Sequence, residues 1–169
     1  MTTRINNLWN KIRASLGFIP TLMTASAMAL AFLTFFVDQY SDIGQWCSEQ
    51  KFAIGPQGAR TLLATVAGSV IGIAGVSFSI TIVALTLASS QFGPRLLNNF
   101  MKDLINQMVL GTFIATFIYC LLVLGSIREN KGEVFVPQIS IIVGILLTLM
   151  SLGVFIYFIH HISSSIHAE

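Results

Sequence analysis

The chain has 169 residues, of which 54% are hydrophobic and 9% charged, and its mean hydropathy is +0.80. Soluble domains carry about a quarter charged residues, so these side chains cannot cover a water-facing globule, and an integral membrane protein with several spans is left. The formal net charge of +2 is too small to imply a nucleic-acid partner, and the charges matter through their placement.

The N-terminal arm carries Arg4, Lys11 and Arg13 and no acid. The first apolar run, residues 17–37, follows as GFIPTLMTASAMALAFLTFFV. A cleaved signal peptide competes with a span here, because basic residues precede the run and Ala25-Ser26-Ala27 has a small-residue pattern. The apolar stretch continues to Val37, well past a signal core, so a retained anchor helix is expected. Trp9 and Trp46 fall near the two ends, where amphipathic rings prefer to lie.

The second run, residues 61–89, lies in a stretch from Thr61 to Pro94 without Asp, Glu, Lys or Arg. As one helix it would measure roughly 43 Å, beyond a hydrocarbon core of roughly 30 Å, so it must tilt, protrude or break. Ala64, Gly68, Gly72, Gly75 and Ser79 recur at three- and four-residue spacing and form one stripe of small side chains. Such a stripe lets helix backbones approach closely in lipid, as a packing seam against another helix of this chain or of a second copy. The sharper alternative is a narrow pathway, with Ser69, Ser77, Ser79, Thr81 and Thr86 supplying hydroxyls.

Residues 88–108, ASSQFGPRLLNNFMKDLINQM, raise the question of why an uncharged run ends in a Gly-Pro break and an arginine. Pro94 lacks a backbone donor and suits the first turn of a new helix, with Gly93 as cap or hinge. Leu96, Phe100, Leu104 and Met108 repeat every fourth residue, and Arg95, Asn98, Asn99, Lys102 and Asp103 fall on the opposite face. This spacing predicts an interfacial amphipathic helix over 94–107, lying on the membrane or running as an extension into the third run. Ser89-Ser90-Gln91 then marks the exit from hydrocarbon, and Arg95 and Lys102 reach anionic headgroups. The rival reading is a gating elbow swinging about Gly93-Pro94.

The third run covers residues 108–127 and the fourth residues 137–162. With the N-terminus in the cytoplasm, five basic residues (Arg4, Lys11, Arg13, Arg95, Lys102) lie inside against four outside (Lys51, Arg60, Arg128, Lys131). Both termini are therefore placed inside, mainly on the all-basic arm.

Little catalytic chemistry is visible. Cys47 sits in a polar loop and Cys120 in the middle of a span, so they lie at different depths and do not pair. His160 and His161 point about 100° apart on one helix and read, with His167, as interfacial residues ending a span. No nucleophile–base arrangement, phosphate loop or paired acids within a span occur, and no metal or cofactor is expected.

The stretches SSQFGPRLLNNFMKD and NQMVLGTFIATFIYCLLVL, followed by FVPQIS and YFIHHI, resemble a family of predicted bacterial integral membrane proteins carrying a domain of unknown function. The likeness covers nearly the whole chain and is most specific over Gln91 to Arg95, Gln107 to Leu124 and Tyr157 to Ile162. It implies a bacterial inner-membrane location and no particular activity. Family members are expected to be longer, with a largely non-membrane region after the fourth span, whereas this sequence stops at ISSSIHAE. Its segment after Pro94 is also less basic than the resemblance implies, with Asn98 and Leu104 where positive charge is expected.

The expected fold is all-α: one transmembrane domain over 1–169, with four transmembrane helices and an interfacial helix between the second and third. The expected role is the membrane-anchoring and helix-association module of a longer protein. An oligomeric channel lined by the second helix is the alternative, and a membrane enzyme is the least favoured class. The expected partners are the lipid bilayer and a second copy of the chain, with no nucleic acid.

Overall fold

Each of the four apolar runs folds as one unbroken helix. The structure, a computed structural model, describes residues 17–40, 54–92, 104–130 and 133–167. The helices are α1 (Phe18–Tyr40), α2 (Pro56–Phe92), α3 (Leu104–Ser126) and α4 (Gln138–His167). Four segments, Phe18–Tyr40, Pro56–Val83, Leu104–Ser126 and Gln138–Ile162, are long and apolar enough to cross a membrane.

Helix is the form in which such segments satisfy their backbone inside lipid. Their hydroxyls follow the same rule by turning back on the carbonyl one turn earlier. Thr24 donates to Pro20 at 2.8 Å, Thr61 to Gln57 at 2.9 Å and Thr148 to Gly144 at 2.8 Å. Pro56 opens α2 and Pro137 stands just before α4, positions where a missing N–H donor leaves no carbonyl unpaired.

α3 is the central helix and packs against the other three, while α4 also touches α1 and α2. Accordingly 44% of the apolar window of α3 is buried, against 22% in each of the others. Buried residues recur every third or fourth position, as Ala27, Ala31, Thr34 and Asp38 on α1 and as Ala59, Leu63, Ala67, Val70, Ala74 and Ser77 on α2. Small residues dominate both faces, which allows close approach of the backbones. Tyr119, Leu63 and Ile141 fill one half of the core, and Phe113, Val70 and Phe158 fill the other. Phe32, Leu33, Phe36, Leu146, Leu149 and Ile156 point outward, as expected of a surface whose solvent is lipid.

Three features refine the expectations above. The second run does not break: α2 is continuous over 37 residues, about 55 Å, and begins before Arg60 instead of after it. Residues 104–107, assigned above to an interfacial helix, are the first turn of α3, in keeping with an extension into the third run. The remainder of that predicted helix, with Gly93, Pro94, Arg95 and Lys102, lies outside the described residues, as do Cys47 and both tryptophans. Finally, a short antiparallel hairpin joins α3 to α4. Its strands are β1 (Arg128–Asn130) and β2 (Glu133–Phe135), with Arg128 opposite Phe135.

Candidate functional site: a buried carboxylate and the groove beside it

The C-terminal ends of α1 and α3 and the N-terminal ends of α2 and α4 meet at one end of the bundle, and polar side chains gather there. Asp38, in the last turn of α1, is 8% exposed. Its Oδ1 accepts the Ile139 N–H at 2.9 Å, and its Oδ2 accepts the Ser140 N–H at 2.9 Å and the Ser140 hydroxyl at 2.6 Å. The first turn of any helix leaves amide donors unpaired and carries a partial positive charge. Asp38 therefore caps α4 from a different helix, doing what a local N-cap side chain normally does.

The contacts spread outward from this pair. The Tyr119 hydroxyl on α3 donates to the Ser140 carbonyl at 3.0 Å and lies 3.0 Å from the Thr34 hydroxyl. Gln138 closes a two-bond bridge to the residue before α2: its Nε2 donates to the Ile54 carbonyl at 3.0 Å, and its Oε1 accepts the Ile54 N–H at 3.3 Å. Arg60 on α2 donates to the Ile127 carbonyl just past α3 at 3.4 Å. The four helix ends are thus stitched together. Both oxygens of Asp38 are engaged by α4, so the carboxylate serves as a cap and is not poised as a base.

Beside this cluster a groove of about 370 Å³ opens between α1 and α3. Phe32 and Phe35 form one wall and Leu121 and Leu122 the other, with Gly125, Ser126, Ser140 and Arg128 towards the end of the span. A Cβ added to Gly125 would meet nothing within 4 Å, so the groove stays open at that point.

The small-residue stripe of α2 faces elsewhere. Ala64, Gly68, Gly72, Gly75 and Ser79 are all exposed, and a Cβ at any of the three glycines would meet nothing within 4 Å. The seam inside the chain is the adjacent face, from Ala59 to Ser77, so none of the four described helices covers the stripe. The pathway hydroxyls divide between faces. Ser69, Ser79 and Thr86 are exposed, with Ser69 and Thr86 bonded to their own helix, whereas Ser77 is buried. Thr81 donates towards the Asn106 side-chain oxygen at 3.0 Å and towards the Ser77 carbonyl at 2.9 Å. Gln91 belongs to the final turn of α2.

His161 is stacked on Tyr157, with ring centroids 6.1 Å apart, and Cys120 is a buried free thiol. Among the described residues no three His, Cys, Asp or Glu side chains gather into a metal site. Sequence reasoning did not single out Asp38, Tyr119, Gln138 or Ser140. The available signals were an acid directly after an apolar run and a Pro-Gln-Ile-Ser entry into the next one.

Four apolar helices joined at their ends define a multi-pass membrane protein. The chain belongs to the family described as Predicted membrane protein (DUF2254), whose model matches residues 13–169. It is similar to uncharacterized proteins of Mycobacterium tuberculosis and Mycobacterium bovis, each 37% identical over 115 residues. That stretch is 68% of this chain and 22% of each relative, so the match spans under a quarter of the relatives' length. No solved structure matches the chain.

Proposed function

We propose that these helices are the membrane-anchoring and helix-association module of a longer protein. On this reading the module sits in a bacterial inner membrane, pairs with a second copy of itself, and has no catalytic activity of its own. The observation that carries it is the uncovered glycine face of α2, where Gly68, Gly72 and Gly75 meet nothing among the described residues of their own chain. Lipid chains cannot interdigitate with such a flat surface as closely as another helix backbone can. The interior supports the same reading, because Tyr119, Phe113 and Phe158 fill it and its buried hydroxyls bond one another, as Thr116 and Ser151 do at 2.9 Å. The all-basic arm of Arg4, Lys11 and Arg13 supports cytoplasmic termini.

The test is single-molecule photobleaching of labelled protein diluted in liposomes, run beside an ion-flux assay on the same vesicles. The expected result is an oligomer for the wild type, a monomer for Gly72→Leu, and no flux from either. A monomeric wild type would overturn the association.

An oligomeric pore is the second reading, favoured by Ser79 and Thr86 lying on the same exposed side as the glycines. Flux that Gly72→Leu abolishes would establish it in place of the anchor. Cysteines placed along 64–79 separate the two readings further. Periodic reaction with a water-soluble thiol reagent marks a wet face, and uniform protection rules out the pore.

A further inference from the structure

The groove between α1 and α3 has one polar end and two apolar walls, and this asymmetry defines what fits it. Phe32, Leu121 and Leu122 are 63%, 40% and 38% exposed, and they lie on spanning segments, so the body of the groove borders hydrocarbon. Arg128 is exposed and follows directly after α3, at the depth where a span gives way to headgroups.

The hairpin sets where Arg128 sits. Residues directly opposite each other in an antiparallel pair project from the same side of the ribbon, and Arg128 is paired with Phe135. The Phe135 ring packs edge-on against Phe35, with centroids 5.8 Å apart. Phe35 is itself part of the groove wall. Phe135 therefore fastens β1 and β2 to α1, and the guanidinium is carried to the mouth of the groove by the same pairing. The nearby carboxylate of Asp38 does not oppose an anion there in full, because α4 amides and the Ser140 hydroxyl take up its oxygens.

We propose that this groove binds one anionic glycerophospholipid, with its phosphate at Arg128 and an acyl chain between Phe32 and Phe35 on one side and Leu121 and Leu122 on the other. The volume of about 370 Å³ lies within the usual range for small-ligand sites, which are mostly apolar with a few orienting polar groups. A guanidinium presents paired donors that match phosphate oxygens. The charge complementarity selects an anionic headgroup, and the continuous apolar walls select a lipid over a free anion.

The test uses native mass spectrometry of the full chain released from detergent. It is titrated with phosphatidylglycerol, with phosphatidylcholine of the same chains, and with phosphatidylglycerol in excess inorganic phosphate. One phosphatidylglycerol per chain should be retained about five-fold more tightly than phosphatidylcholine, the discrimination one basic group supplies at a membrane surface. Arg128→Gln should remove that preference, lowering phosphatidylglycerol retention more than phosphatidylcholine retention. A Cβ at Gly125 meets open space, so Gly125→Leu should lower retention of both lipids while the thermal midpoint holds. Equal retention of the two lipids by the wild type would overturn the proposal. So would an Arg128→Gln protein that keeps the preference, a Gly125→Leu protein that binds as the wild type does, or displacement of phosphatidylglycerol by inorganic phosphate.

Discussion

Asp38 and Ser140 stand 102 residues apart in sequence, yet one carboxylate oxygen holds both the backbone amide of Ser140, at 2.9 Å, and its hydroxyl, at 2.6 Å. Removing the carboxylate bares the Ile139 and Ser140 amides together. Asp38→Ala should therefore lower the unfolding free energy in detergent by roughly 3 kcal/mol, the scale of losing hydrogen bonds to a buried charged acceptor. Asp38→Asn keeps one acceptor oxygen and should lose about half as much. Equal losses in a denaturant titration of the two variants would show that a neutral amide oxygen cannot stand in for the carboxylate in the cap.

Around Tyr119, two hydroxyl protons serve three contacts. The Tyr119 hydroxyl reaches the Ser140 carbonyl, Thr34 reaches the Ala31 carbonyl at 3.1 Å, and the two hydroxyls meet each other. Each hydroxyl donates once, so the network is shared. Tyr119→Phe should cost about 1–2 kcal/mol. The double variant with Thr34→Val should lose less than the sum of the single losses, because the mutual bond is counted in both. Strict additivity in the cycle would exclude the shared bond.

At Gly111 the backbone of α3 comes close to α1. A Cβ there would lie 2.6 Å from the Met23 sulfur and 3.1 Å from the Pro20 Cα. The thioether can swing away, but the backbone of Pro20 has to give, so Gly111→Ala should destabilise by roughly 1–3 kcal/mol. Gly153 on α4 has open space around it, and Gly153→Ala should be neutral or gain a few tenths to about 1 kcal/mol from helix propensity. Thermal unfolding of the pair of variants under one condition compares them directly.

Ser77 is 3% exposed, and its hydroxyl has no hydrogen-bond partner among the described residues. The other buried hydroxyls among the described residues turn back on a carbonyl or meet a neighbour, so this one carries an unrecovered desolvation cost. Ser77→Ala should raise stability by about 1 kcal/mol. A loss of stability would show that the hydroxyl has a partner in the membrane-embedded protein.

The spans were legible because lipid imposes a simple demand, namely some twenty apolar residues per crossing. All four runs were placed within a few residues at most ends. The start of α2 was read late, because Arg60 looks like a loop charge until its contact with Ile127 shows why it is tolerated in a helix. The stripe of small residues was legible as a stripe, but its neighbour could not be read, since Ala59, Ala67 and Ala74 form an equally small face one step around the helix. Periodicity gives faces and leaves open which one packs. The stitched helix ends were not legible at all. Asp38 with Ser140 and Gln138 with Ile54 are pairings across 84 to 102 positions, and no local spacing encodes them. Gly111, the glycine in tightest contact, belongs to no glycine motif.

The capping of α4 by α1 has a consequence for how the protein is made. Asp38 leaves the ribosome 101 residues before Ile139, its earliest partner, which at ordinary synthesis rates is a wait of roughly 5–20 s. Until then the α4 donors that hold the carboxylate are missing. The outgoing end of the first helix is therefore completed only when the last helix arrives.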